Sequence, residues 1–320
     1  MTQKNTTNRR GFLGKTSLAA GALLLPESFI GHAFNIIQGK GKSPFNGVNV
    51  GAISYSFRSM SNDANDILHY MVQAGLPSIE LMGYSIEGYA GAPEAPKGGG
   101  GRNQTPEQKA EREAYETEMK KWRTSVSMDK FKELSKKYKK EGVSIEIVKF
   151  DLFRMSPEEA EYAFNVANAM GAKAITLERS DEATAKLGPL ADKHKTMVGY
   201  HNHARVNFNS WDKALADHPY NAMNLDIGHY FAGTNESPIP LIKKYPNRIS
   251  NLHLKDRKKN EGDNLPWGEG ETPLKEVLQL LKKENYKFLA AIEQEYAIPE
   301  GSDALKEVTK CAEYCREALA

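Results

Sequence analysis

The chain has 320 residues, 40% hydrophobic and 26% charged, with a formal net charge of +2. That composition suits a soluble globular protein with one large domain or two small ones. A near-neutral charge excludes the strong basic field of a nucleic-acid binder, and two cysteines exclude a disulfide framework.

The first segment, "NRRGFLGKTSLAAGALLLP", pairs Arg9-Arg10 with Phe12, Leu13 and Lys15 and then a weakly apolar run. The order and spacing are those of a twin-arginine export signal. The apolar run is about half of the roughly 20 residues that a membrane-spanning helix needs. We therefore expect a signal over 1–33, a linker over 34–46, a periplasmic protein and no stable membrane insertion. The domain expected after the linker is a single one, 47–320.

From residue 48 onward, short apolar β-like runs alternate with helical ones. The strands read as 48–56, 78–83, 144–150, 174–178, 196–202, 222–228, 249–255 and 289–295. Helical periodicity lies between them. Residues 62–75 place Ile67, Leu68, Met71 and Val72 on one face and stop at Gly75. Residues 128–142 align Phe131, Leu134 and Tyr138 and stop at Gly142. Ser156-Pro157 and Thr272-Pro273 each read as a cap followed by proline at the first helical position. Helices also fill 237–247, 272–284 and 302–319. Cys311 and Cys315, four apart on the last of these, read as apolar packing.

Eight β units alternating with helices predict an α/β fold with a parallel sheet, closed as a (β/α)8 TIM barrel. An open doubly wound sheet is the alternative, but no G-x-G-x-x-G follows the first strand, and "GGGGRN" at 98–103 has no strand before it. An insertion at 84–127 separates the second strand from its helix. Its first half is rich in Gly and Pro and its second half is a charged helix-former. On a barrel this loop belongs to the catalytic face. It reads as a lid, with Tyr84, Tyr89 and Trp122 available to stack on a sugar.

Strand parity sorts the polar strand ends. Outward Leu252, Leu254, Leu225, Ile227 and Ile292 place Asn251, His253, Lys255, Asp226, Glu293 and Glu295 inward. Glu80 and Met82 share a face, as do Thr176 and Glu178, and His201 and His203. One mouth therefore collects Glu80, Glu178, His201, His203, Asp226, His253, Lys255 and Glu293. Buried together, such charges need partners or a metal. Imidazoles mixed with carboxylates suit one divalent ion, Mn, Zn, Co or Fe in preference to Mg.

With these residues in place, the sequence resembles the sugar phosphate isomerase/epimerase family, the xylose isomerase-like barrels. The strongest stretch is "LDIGHYFAGTNESPIPLIKKYPNRISNLHLKD" (225–256), and "GYHNH", "WGEGETPL" and "AIEQEY" accompany it in the expected order. The resemblance covers roughly 47–318. It implies a metal held by Glu, Asp, His and Glu from the fifth to eighth strands, and so by Asp226, His253 and Glu293 here. His201 stands where the first glutamate is usual, so either His201 takes that place or Glu178 reaches in from the fourth strand.

A metal beside a carboxylate suits enediolate chemistry at a sugar carbonyl. The expected activity is a metal-dependent isomerase or epimerase acting on a non-phosphorylated sugar, since phosphorylated metabolites are scarce outside the cytoplasm. The alternative is a keto-sugar or keto-glycoside lyase or hydratase, favoured by the loss of one of the two glutamates that epimerases of this family use. A non-catalytic sugar-binding barrel is a third reading. Glu293, His229, Lys255 and His203 are the expected catalytic groups, and Glu80, Tyr84 and Trp267 the expected substrate contacts. The expected partner is a small carbohydrate, not a nucleic acid, and a homo-oligomer is compatible with the sequence.

Overall fold

The computed structural model describes residues 44–96 and 104–320. The expected signal, most of the linker and the "GGGGRN" loop lie outside the described residues.

All eight expected strands form. They are β1 Val50–Ile53, β2 Ser78–Met82, β3 Ser144–Lys149, β4 Ala174–Glu178, β5 Met197–His201, β6 Asn221–Asp226, β7 Ile249–Leu254 and β8 Leu289–Ile292. Each pairs in parallel with the next, and β8 pairs with β1, which closes the barrel. Except for β4, the strands are shorter than the apolar runs suggest, mostly because their last residues turn into loops and helix starts at the mouth. The open-sheet alternative is excluded by this closure.

The helices are α1 Ala64–Gln73, α2 Gly83–Tyr89, α3 Pro106–Arg123, α4 Asp129–Lys140, α5 Pro157–Met170, α6 Asp181–His194, α7 Asp212–Asp217, α8 Ile227–Thr234, α9 Ile239–Lys244, α10 Leu274–Glu284 and α11 Ala304–Leu319. The expected stops at Gly75 and Gly142 both have left-handed backbones, with φ of 65° and 80°. Ser156 caps α5 in a reciprocal capping box with Glu159. The matching expectation at Thr272-Pro273 fails. Helix α10 starts at Leu274, and the Thr272 hydroxyl instead accepts from the Arg257 amide at 3.0 Å. A fixed tertiary partner for that hydroxyl overrides its local capping role.

The main apolar core lies between barrel and helices, where outward strand residues such as Leu225, Leu252, Leu254 and Ile292 meet the helices. Phe45 is fully buried in it, so the packed body reaches two residues before the expected start at 47. A second, small cluster of Ile147, Ala174, Leu289 and Ala291 fills the barrel interior. Above it the interior turns polar. Cys311 and Cys315 are free and buried in the main core, as expected of packing residues.

The 84–127 insertion becomes α2 and α3. Arg123, at the end of α3, pairs with Glu87 of α2 at 2.7 Å and with Glu159 of α5 at 2.9 Å. Trp122 meets Phe131 and Tyr162 edge-on at 6.5 and 6.0 Å. It is packing that anchors α3, not a sugar platform. Tyr89 donates to Glu133 of α4 at 2.8 Å. Of the three aromatics, Tyr84 alone lines the cavity at the mouth.

Candidate metal centre

The Asp-x-x-His spacing has a local cause. Asp226 ends β6 and caps α8, its Oδ1 accepting from the His229 amide at 2.7 Å. A capping carboxylate spends one oxygen on the helix and keeps the other, Oδ2, directed into the mouth. Gly228 lets this turn approach the next strand. A Cβ there would lie 2.3 Å from Lys255 Cγ and 2.5 Å from its carbonyl oxygen.

Asn202, between the two histidines of "GYHNH", holds the same turn. Its Oδ1 accepts from the Asp226 amide at 2.9 Å, and its Nδ2 donates to the Asp226 carbonyl at 3.1 Å. Below, Glu80 is fully buried and saturated. It accepts from Thr176 at 2.5 Å and Asn251 at 2.6 Å, and faces His253 Nε2 at 2.7 Å. It therefore orients His253 rather than contacting substrate, which corrects the expectation for this residue.

His201, Asp226, His253 and Glu293 form a buried group whose ligand-type atoms lie within 4.8 Å of one another. Ligand distances of about 2.0–2.2 Å put the donors of one ion at most about 4.4 Å apart. One buried atom of each residue lacks an aligned hydrogen bond, His201 Nδ1, Asp226 Oδ2, His253 Nδ1 and Glu293 Oε2, although His253 Nδ1 and Glu293 Oε2 lie 2.8 Å apart as an ion pair. Such atoms are costly in a folded interior unless something else satisfies them. Two nitrogens and two carboxylate oxygens fit a divalent transition ion.

Lys255 approaches two of these atoms without hydrogen-bond alignment, at 2.9 Å from Asp226 Oδ2 and 3.0 Å from Glu293 Oε2, and donates to Glu295 at 2.5 Å. Burial opposes its charge, but the three carboxylates outweigh burial and raise its pKa. Burial likewise opposes charge on His253, yet Glu293 and Glu80 lift it to about 10. Burial raises Asp226, while burial and then Lys149 push His201 well down. Burial disfavours the charged form of Glu293, but His253 and Lys255 hold it well below the usual carboxylate range. A proton on His253 Nδ1, which faces Glu293 Oε2 at 2.8 Å, would have to leave before a metal could bind there.

Glu178 stands apart from this group. Its side chain is 56% exposed and pairs with Lys149 at 3.0 Å and with His203 at 3.0 Å. Of the two residues expected to compete for the fourth position, His201 is the one placed in the buried group. A second grouping joins His201, His203 and His229. Its His229 is bracketed by cations, with Arg257 Nη1 at 2.6 Å from Nδ1 and Lys255 Nζ at 3.2 Å from Nε2. Burial and these two charges lower it to about 3. A further cation there would meet two already in place.

Trp267 lies away from the centre. It meets Tyr314 edge-on at 5.7 Å and lines a cavity with Pro266, Tyr296 and Cys311, none of them a member of the centre. The loop that carries it is tied to Asp256, which accepts from Gly268, Gly270 and Thr272 amides at 2.8–3.1 Å. That loop explains why "HLKD" and "WGEGETPL" travel together.

Three groups around the centre escaped the sequence reading, Lys149, Arg257 and Asn202, and that reading places Glu295 inward without a role there. Parity signals Lys149, which follows inward Ile147 by two residues, and Glu295, which follows Glu293. Arg257 is placed by a short hairpin pairing Asp256–Arg257 with Asn264–Leu265, and nothing in the sequence announces its contact with His229.

Residues 108–314 match the family described as the xylose isomerase-like TIM barrel. The chain belongs to that family. Among solved structures, a probable 3-DHS dehydratase, AsbF, from Bacillus anthracis is similar with a TM-score of 0.57 at 16% identity, covering 83% of this chain and 97% of that one. A sugar phosphate isomerase/epimerase from Parabacteroides distasonis gives 0.54 at 17%, covering 83% and 92%. These likenesses show the fold. Among curated proteins, the inosose dehydratase of Clostridium beijerinckii is 28% identical over 120 residues, covering 36% of this chain. That of Clostridium tetani is 27% identical over 158 residues, covering 42% of this chain. The chain spans 35% and 52% of the length of these two relatives. No helix among the described residues is long and apolar enough to cross a membrane.

Proposed function

We propose that this xylose isomerase-like barrel is an exported, divalent-metal-dependent enzyme that eliminates a β-oxygen substituent from a non-phosphorylated keto-sugar. The observation that carries this is the buried four-residue centre, whose ligand-type atoms converge within 4.8 Å, with a histidine at the β5 position. The similarity to two inosose dehydratases favours elimination over isomerisation.

His201, Asp226, His253 and Glu293 would hold the ion, which when bound polarises the carbonyl of the substrate. Glu293, kept ionised, takes the proton α to that carbonyl. Lys255, kept charged by Asp226, Glu293 and Glu295, stabilises the enolate oxygen. The β-carbon–oxygen bond then breaks, and the leaving oxygen takes its proton from His203. The hydrogen bond to Glu178 raises the pKa of that histidine, which holds its proton nearer neutrality. His229, kept neutral, positions Lys255 instead of acting as a base. Export supports the absence of phosphate on the substrate.

The test incubates Mn-, Co- and Zn-loaded protein with keto-inositols, 3-keto-glycosides and plain aldoses. Water or an alcohol released with an unsaturated ketone is the expected product. An isomeric sugar alone would assign the isomerase branch and sink this reading. An Asp226→Ala protein that binds sugar unchanged would make the barrel a binding module.

A further inference from the structure

Among the described residues the exposed large apolar side chains are Tyr55, Tyr84 and Phe153. Scattered singly, such residues need no explanation. These three share one location. Tyr55 lies in the turn after β1, Tyr84 opens α2 directly after β2, and Phe153 follows β3 by four residues. All stand on the rim where the metal-type group sits, but over the strands that do not carry it. Cations fix two of the rings, Arg58 over Tyr55 at 4.9 Å and Lys186 over Phe153 at 5.2 Å.

Tyr84 connects this rim to a cavity of about 880 Å3 that reaches Phe150, Lys149 and Glu178, beside the four-residue group. Glu178 pairs with Lys149 on the cavity side and with His203 on the metal side. Ligand pockets run from roughly 300 to 1,000 Å3, so this one sits near the upper end and exceeds what one sugar ring fills. Most of its charges are paired: Arg123 with Glu87 and Glu159, Arg112 with Glu116, Arg154 with Asp151, Lys120 with Glu158. Paired charges beside aromatic faces suit a hydroxyl-bearing ring, not a phosphate or carboxylate.

We infer that this half of the mouth is a second subsite and that the substrate is a glycoside of at least two rings. The reacting ring lies at the metal group, the linking oxygen falls by Lys149 and His203, and the second sugar ring lies across Tyr84. The inference rests on the sugar reading above but not on the reaction.

The experiment is calorimetric titration of Mn-loaded protein with glucose, and separately with cellobiose. Cellobiose should bind at least tenfold more tightly. Tyr84→Ala should remove at least fivefold of that gain and leave glucose unchanged, while Tyr84→Phe keeps it. Tyr84 is exposed, and an unchanged melting temperature will show that the variant folds. Equal affinities, equal losses for both sugars, or no binding of cellobiose would each overturn the subsite. Ring-dependent binding without any eliminated product would leave the subsite standing and remove the proposed reaction.

Discussion

Asn202 grips the peptide of Asp226 from both sides, accepting from its amide at 2.9 Å and donating to its carbonyl at 3.1 Å. The side chain is buried, and apart from a longer bond to the His203 carbonyl at 3.4 Å it serves this one residue. It therefore fixes where β6 ends and where the free Asp226 oxygen points. Supports of this kind typically alter metal affinity by about 10–100-fold. Asn202→Ala should weaken Mn binding within that range, read by competition with a chromophoric chelator. Asn202→Asp cannot donate to the carbonyl and should also bind less well. Wild-type affinity in both variants would show that Asp226 needs no such clamp.

Metal binding itself should appear as stability. An ion that binds only the folded chain adds about 2.7 kcal/mol at one hundred times its dissociation constant. For a barrel of this size each kcal/mol moves the melting temperature by about 2–4 °C. Adding Mn to chelator-treated protein should therefore raise the melting temperature by roughly 5–10 °C. Asp226→Ala should abolish the rise. Calorimetric scans that do not respond to metal would count against the centre.

The inward set was legible because β parity is a rigid rule. Asp226, His253, Lys255 and Glu293 needed only an outward Leu or Ile beside them to be assigned. What parity does not supply is height along the strand and competition for partners. Glu80 and Glu178 both have inward parity. Yet Glu80 sits a layer lower, where Thr176, Asn251 and His253 saturate it. Glu178 ends its strand at the rim, where Lys149 and His203 hold it. Trp267 was misplaced for another reason. Its loop is positioned by Asp256, a long-range tie without local periodicity.

The His203–Glu178 pair should have a bell-shaped dependence on pH. The hydrogen bond to Glu178 raises His203 above its ordinary 6.5. Burial opposes ionisation of Glu178, but His203 and Lys149 lower it from 4.5 to about 2. A raised histidine contributes stability below 6.5 and loses it as pH rises through the folded value. A lowered carboxylate contributes above 4.5 and loses it as pH falls towards 2. The pair is therefore strongest between about pH 4.5 and 6.5. Both groups are half exposed, so the coupling should stay within about 0.2–1 kcal/mol. A double-mutant cycle with Glu178→Gln and His203→Gln, measured by urea unfolding, should peak near pH 5.5 and fall by pH 8. A coupling that is flat with pH would mean that the two do not pair in solution.

Arg123 should be the most costly single residue to remove from the insertion. It joins α3 to Glu87 of α2 and Glu159 of α5, and all three side chains are largely buried. Taking away the cation leaves two carboxylates facing each other with little water. Breaking a buried pair in this way costs about 3–5 kcal/mol, much of it the stranded charge. Arg123→Met should fall at the lower end of that range, because the guanidinium keeps some contact with solvent. Adding Glu87→Gln and Glu159→Gln should then recover more than half of the loss. Glutamine at 159 can still accept from the Ser156 amide, as Glu159 does at 3.0 Å, so the cap of α5 survives the exchange. If the triple variant is no more stable than Arg123→Met alone, stranded charge is not the cause, and the loss belongs to the packing of α3 through Trp122 on Phe131 and Tyr162.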